Sequence, residues 1–508
     1  MSWGPRPHNW GKYSLMKISK KHFHWRYFRL ELVLLAITIA LYIPRLSDSL
    51  WLDEFAATDA VSRGFWDAAS FLWFHMFPAP IFYALEWVAV QLLGNGEVAL
   101  RILPFIFTLA SGAALYVLTR RMTRSYEIAW TSALIFLNLP LIRDQGVTAR
   151  PYPLSVFCCI CAFYYLYFHQ NKLTRLFIAA SFAAVAVYGH LLMLVIPPAL
   201  AAAVFLARRI SVLRAGLFAI SAFLLSLPLV VNMLTLWESR QVLYYTGFQI
   251  EPLFLYVHSI PILILACFVL LRRTGLLQAP QLRRLALSSE LFGLLLAWAI
   301  IPLFGVIAIA YLGTTDITVF SRYLIGTRPA LAIALALGIG LFRIKKLRNI
   351  ALVILLLYFA ISPHSRVLRR EFSQDFRGLV ARIASERQAN EPILFFSCWG
   401  EGNDLERLKD PQGAKWLKLP LSYYGISDNI HLLPSYPFLP FYPGPEARKG
   451  FVREVLGQLL KQSSRWFVVP CYDVYSIVPF LEQLGVKDPK LELIGRYGMI
   501  PLYESQVN

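Results

Sequence analysis

Charged residues are scarce in this sequence: 16% of its 508 residues are Asp, Glu, Lys or Arg, against 57% that are hydrophobic. A soluble domain carries about a quarter charged residues. The shortage therefore excludes an ordinary water-soluble globule, and with a mean hydropathy of +0.54 it indicates a chain that crosses a membrane many times. Acidic residues are the scarcer sign, 30 against 49 Lys and Arg, for a net charge of +19. That excess does not indicate nucleic acid, because the cations fall in short runs between apolar stretches rather than along one amphipathic face. They read as topology signals and contacts to anionic lipid headgroups. No GxGxxG loop follows a strand and opens a helix, which argues against a nucleotide-sugar donor on the cytoplasmic side. No internal repeat relates the two halves, whereas transporters often show one. Cysteine is also sparse. Cys158, Cys159, Cys161 and Cys267 lie inside apolar runs and read as small apolar residues. Cys398 and Cys471 fall in a polar region, where an extracytoplasmic location would permit them to pair.

The N-terminal arm holds Arg6, Lys12, Lys17, Lys20, Lys21, Arg26 and Arg29 and no acidic residue before Glu31, which places it in the cytoplasm. No small-residue cleavage site follows the first apolar run, so it reads as a retained helix rather than a signal peptide. That first crossing covers about 32–44. The loop at 47–97 is acidic and dense in Trp and Phe, as expected of helices lying in the outer interface. Further crossings are expected over about 98–118, 128–141 and 154–168. The run Leu176 to Leu206 is long for one crossing and short for two at roughly 20 residues each. Arg208, Arg209 and Arg214 follow it, so two short crossings with Tyr188-Gly189-His190 at the outer turn satisfy the charge bias. Crossings seven to eleven then follow, the eighth ending at Arg272 and the last near 350–361. The total is about eleven, with the N-terminus inside and the C-terminus outside. From about residue 362 the composition changes. Strand-like runs at 391–398 and 465–470 alternate with helical periods at 376–387 and 452–462, predicting a small extracytoplasmic α/β domain over 362–508. The fold class expected is thus a mostly α polytopic membrane protein, residues 1–361, bearing that domain.

Sorting charges by side of the membrane identifies candidate chemistry. Leu50-Trp51-Leu52-Asp53-Glu54 sets two carboxylates at the outer surface. Two readings fit: a helix start, where acidic residues complement the dipole, and a general base with its neighbour. Arg101, Arg143, Arg150, Arg240, Arg322 and Arg328 collect near outer span ends, Arg101 and Arg328 a turn inside apolar runs. A cation there faces a polar cavity or snorkels outward. The set matches the demands of transfer from a polyprenyl phosphate. Guanidiniums stabilise the phosphate charge that grows as the glycosidic bond breaks, and a carboxylate deprotonates the attacking hydroxyl.

Several motifs occur in an order that resembles the bacterial GT-C glycosyltransferases of the family-39-like group, related to protein O-mannosyltransferases and lipid A aminoarabinose transferases. Trp51-Leu52-Asp53-Glu54 resembles the first-loop acidic motif. Pro78-Ala79-Pro80-Ile81-Phe82-Tyr83 with Arg101-Ile102-Leu103-Pro104 resembles a "PPLYY … R-x-P-S" stretch. Ala149-Arg150-Pro151-Tyr152 is similar to an "ARxY" loop, Gly189-His190 to a "TH" turn, Ser321-Arg322-Tyr323 to a late "RY" motif, and Asp375-Phe376-Arg377 to a "DWR" opening the outer domain. Two positions depart: Phe77 stands where the family has histidine, with His75 two residues earlier, and Phe105 replaces a serine.

The resemblance implies an enzyme of the bacterial inner membrane that moves a sugar from a polyprenyl-phosphate sugar donor to an extracytoplasmic glycan, lipid or protein, with inversion. It implies Asp53 as base with Glu54 beside it, and Arg101, Arg150, Arg322 and Arg328 at the donor phosphate. Tyr152, His190, His75 and Tyr323 are the candidate substrate contacts, with an interfacial anchor as the competing reading of Tyr152. Asp53, Glu54, His75 and His190 also form a donor set that would suit a divalent metal ion. The alternative of another class is a transporter or flippase for a lipid-linked sugar.

Overall fold

The computed structural model describes residues 29–67, 79–241, 249–250, 289–312, 318–319, 321–342, 344–361, 374–388, 391–396, 405–434, 445–459, 465–470, 490–497 and 500–506. The expected eighth crossing, His75, Cys267, Cys398 and Cys471 lie outside the described residues.

Among the described residues up to 361 the chain is mostly helical: α1 (Arg29–Tyr42), α2 (Leu52–Ser62), α3 (Pro80–Leu93), α4 (Glu97–Thr123), α5 (Tyr126–Asn138), α6 (Pro140–Gln145), α7 (Tyr152–His169), α8 (Leu173–Gly189), α9 (Ile196–Leu206), α10 (Val212–Gln241), α11 (Ser289–Leu312), α12 (Arg328–Gly340) and α13 (Lys345–Ile361). Among the described residues, five helical stretches are long and apolar enough to cross a membrane: Leu30–Ser47, Glu97–Thr123, Tyr152–His169, Val212–Asn232 and Arg322–Gly340. Four shorter apolar helices accompany them, among them Pro80–Leu93 in the expected interfacial loop. These helices make the chain a multi-helical membrane protein; the expected total of about eleven crossings is not established by them.

The long apolar run near 176–206 breaks where the charge bias requires. α8 ends at Gly189, and His190 leaves the helix in extended conformation before a 3₁₀ turn, Leu191–Val195, leads into α9. Gly189 fits there because a β-carbon would strike the Ser155 hydroxyl of α7. That hydroxyl donates to the carbonyls of Ala186 and Pro151, at 3.1 and 3.3 Å, and so has little room to move. Gly189→Ala is expected to cost about 1–3 kcal/mol through overpacking of this α7–α8 contact. Thermal unfolding of the purified protein measures the loss, and an unchanged midpoint would show that the helices part without cost.

The C-terminal residues form a five-stranded sheet. Its strands are β3 (Ile393–Phe396), β4 (Ile430–Leu433), β5 (Arg465–Val469), β6 (Lys490–Tyr497) and β7 (Ile500–Gln506), numbered after a two-residue parallel pair β1 (Gln249–Ile250) and β2 (Thr318–Val319). The order is β4-β3-β5-β7-β6, with β4, β3 and β5 parallel and the β6–β7 hairpin antiparallel to β5. Burial on both faces explains why β3 and β5 are continuous apolar runs in the sequence.

This region grips α2. The Phe55 ring packs edge-on against Phe376, Tyr423 and Tyr424 at 5.5, 5.8 and 6.2 Å. Leu52 N–H donates to Gln374 Oε1 at 3.0 Å, and Leu50 N–H to the Tyr424 hydroxyl at 2.8 Å. Two otherwise unpaired donors at the start of α2 are thereby satisfied from more than 300 residues away. Arg377 adds an ion pair to Glu97. The "DFR" segment of the sequence thus fixes the position of the acidic helix.

Candidate active site

α2 begins with Leu52, which sets Asp53 and Glu54 in its first turn, where the helix dipole favours negative charge. The helix turns the two carboxylates in different directions, and their surroundings are opposite. Glu54 has no exposed surface. Its Oε1 accepts from Arg101 Nε at 2.8 Å and from Ala149 N–H at 2.7 Å, and its Oε2 accepts from Trp51 N–H at 2.8 Å and from Arg101 Nη2 at 2.5 Å. Arg101 also donates to the carbonyls of Asp48, at 2.5 Å, and Ser49, at 2.9 Å. Two of the expected site residues are thus placed against each other: the Arg101 guanidinium is spent on Glu54 and the loop before α2, and both Glu54 oxygens are engaged in shaping that loop.

Asp53 keeps 26% of its side chain exposed and faces Arg150, whose Nη2 stands 3.7 Å from Oδ2. Arg150 Nη1 also donates to the Asp53 carbonyl at 3.4 Å. From there the contacts close on themselves. The Arg150 guanidinium lies 5.9 Å from the Tyr152 ring, and Tyr152 stacks on His190 at 5.5 Å. His190 stacks on Tyr323 at 4.7 Å, and Arg322 stands 5.8 Å from Tyr323 and 5.7 Å from Trp51, two residues before Asp53. Residues from four separate segments therefore meet in one cluster, which holds one partly exposed carboxylate and two guanidiniums. Arg328 is buried at the start of α12. Arg143, another of the cations expected at the outer side, donates to the Phe359 carbonyl of α13 at 3.1 Å.

Electrostatics follow from burial. Burial, with Arg150 and Arg322 beside it, lowers the His190 imidazole to about 3, so it is neutral near pH 7. Its Nδ1 accepts from Leu192 N–H at 3.3 Å, which assigns the ring proton to Nε2. The ring thus contributes an N–H donor beside two cations. An exposed imidazole titrates near 6.5, so below that pH the unfolded chain takes a proton that folded His190 refuses. Its contribution to stability is complete above about 6.5 and falls as pH drops toward 3. His190→Gln is expected to flatten the loss of thermal stability between pH 7 and 4; parallel slopes for both proteins would refute the assignment. For Arg150, burial works against the charge, but Asp53, Tyr83 and Tyr152 outweigh it and hold the guanidinium above its ordinary pKa.

Sequence reasoning passed over two residues of α3. Tyr83 is buried, and the charges of Arg150 and Asp53 reach it. Glu86 is fully buried, with no hydrogen-bond partner for either carboxyl oxygen among the described residues. Burial, then the nearby Glu54, raises its pKa well above the carboxylate range, against the pull of Arg150. A single acidic residue inside the apolar run Ala84-Leu85-Glu86-Trp87-Val88 was the available signal. Among the described residues, no three His, Cys, Asp or Glu side chains gather where they could hold a metal ion. Glu54 is saturated and His190 is stacked between rings, so those members of the proposed donor set do not fit one.

No family profile and no curated protein sequence matches the chain. Solved structures do. ArnT from Cupriavidus metallidurans bound to undecaprenyl phosphate superposes with a TM-score of 0.56 at 11% identity, covering 93% of this chain and 97% of that one. ArnT in the apo state gives the same score at 12% identity. The archaeal oligosaccharyltransferase AglB from Archaeoglobus fulgidus, in complex with an inhibitory peptide and a dolichol-phosphate, scores 0.45 at 12% identity, over 87% of this chain and 70% of that one. The ArnT likeness runs through the helical part and the C-terminal sheet alike, and gives this chain the GT-C fold that its motifs led us to expect.

Proposed function

We propose that this protein is a membrane glycosyltransferase that moves one sugar from a polyprenyl-phosphate donor to a hydroxyl of an extracytoplasmic glycan, lipid or protein. The observation that carries the reading is the closed ring of contacts in which Asp53 faces Arg150 beside Arg322, Tyr152, His190 and Tyr323. The fold shared with a protein crystallised with undecaprenyl phosphate supports a donor of that chemistry.

In this mechanism an Asp53 oxygen takes the proton of the acceptor hydroxyl as that oxygen bonds to the anomeric carbon. The bond from that carbon to the phosphate oxygen breaks on the opposite face, so the centre inverts and polyprenyl phosphate departs with the electron pair. Arg150, Arg322 and the Nε2–H of His190 receive the phosphate charge in a site of restricted solvent access. Tyr152 and Tyr323 wall the sugar. Residues 1–361 bind the donor from the bacterial inner membrane, with the N-terminus in the cytoplasm. Residues 362–508 form an extracytoplasmic domain that holds α2 and meets the acceptor.

Purified protein in lipid discs, given a synthetic polyprenyl-phosphate sugar and envelope extract, is expected to consume the donor. Arg150→Ala and Arg322→Ala are expected to raise the donor KM by about 10–100-fold, the range for a lost charged hydrogen bond. Movement of intact donor across vesicles without consumption would establish the transporter reading instead.

A further inference from the structure

A polar pocket lies at the far end of the helix bundle from Asp53. It is formed where α1 and α5 begin, where α12 ends and where α13 begins, and its cavity volume of about 20 Å³ admits a group the size of an ammonium. Ile339 on its wall lies about three turns, roughly 16 Å, beyond Arg328 at the other end of α12. The pocket therefore faces the opposite leaflet from the candidate active site, and nothing about it depends on the transfer reaction.

Its chemistry is balanced and incomplete. Glu127 and Arg348 pair across it at 2.6 Å, and Lys345 stands exposed at its rim. Glu31, from the first turn of α1, is only 8% exposed, and its Oε2 has no hydrogen-bond partner among the described residues. A carboxylate in that setting calls for a cation with N–H donors, since an unpaired charge under a membrane surface is costly. Two carboxylates and two cations leave no net field to select a purely anionic or purely cationic guest. Thr131 and Asn349 add uncharged polar groups to the lining. Elsewhere on the same helices, Val33 and Ile37 of α1 and Ile354 of α13 expose apolar surface of the kind that acyl chains cover.

We propose that this pocket binds the headgroup of a phospholipid carrying both a primary ammonium and a phosphate. The ammonium enters to Glu31, the phosphate stays at the rim by Lys345, and the acyl chains run down the exposed faces of α1 and α13. A quaternary choline offers no N–H to the Glu31 oxygen, and a glycerol headgroup brings no cation, so both are poorer guests.

The test uses the full chain in lipid discs of equimolar phosphatidylethanolamine, phosphatidylcholine and phosphatidylglycerol, followed by native mass spectrometry of the lipids retained after release. Wild type is expected to retain the ethanolamine lipid about 10-fold over either competitor, and Glu31→Gln to lose that preference. Equal retention of the three lipids, enrichment of the glycerol lipid, or a preference unchanged in Glu31→Gln would overturn the proposal. Should the variant not fold, wild type alone decides. Its thermal midpoint rises on adding phosphatidylethanolamine to detergent-solubilised protein and stays put with phosphatidylcholine, whereas equal shifts count against the site.

Discussion

Donor consumption is expected to fall by about 10²- to 10⁴-fold in Asp53→Asn, the loss typical of removing a general base. The protein should insert and accumulate normally. Asp53 is the carboxylate of the pair with solvent access, and Arg150 keeps its bond to the main-chain carbonyl, which Asn retains. Kinetics on purified protein, with yield and thermal midpoint measured alongside, separate chemistry from folding. Transfer near the wild-type rate would remove Asp53 from the reaction. A collapse of yield would instead make its contact with Arg150 structural.

The neighbouring residue should behave in the opposite way. Glu54→Ala strands a guanidinium that is 4% exposed, and breaking a buried pair by removing one partner costs about 3–5 kcal/mol. It also leaves the Trp51 and Ala149 amides without the acceptor that now ties α2 to the Arg150 loop. The expected outcome is loss of folded protein, seen as low yield and a lowered thermal midpoint, with Arg101→Ala doing the same. Arg150→Ala, by contrast, should keep the fold and weaken donor use. Folded, stable Glu54→Ala without transfer would return that carboxylate to the chemistry.

The contrast between Asp53 and Glu54 marks where sequence reading stops. Both stand in one acidic motif, and the helical turn that separates their directions is visible in the spacing. What each meets is not, because Glu54 is claimed by Arg101 and Ala149, 47 and 95 residues away. The break at His190 was legible, since the cations after it had to return to the inner side. The β6–β7 hairpin is not legible in the sequence: its strands mix Glu492, Arg496 and Glu504 with apolar residues, and β6 is the edge of the sheet, which weakens the alternating signal. Asp375-Phe376-Arg377 was recognised as a motif, yet its grip on α2 through Phe376 and Arg377 needed the folded chain.

Composition by itself determined that this chain is a multi-helical membrane protein, and charge placement set the expectation of which loops turn to which side and that an acidic loop shares a surface with several arginines. These follow from local physics, because an apolar helix partitions into lipid and a cation resists crossing it whatever the rest of the chain does. Which arginine braces the backbone, which faces Asp53, and which aromatic rings gather beside them were decided only in three dimensions. A guanidinium has the same sequence signature beside a carbonyl or a phosphate, and its role is set by whichever partners folding brings within reach.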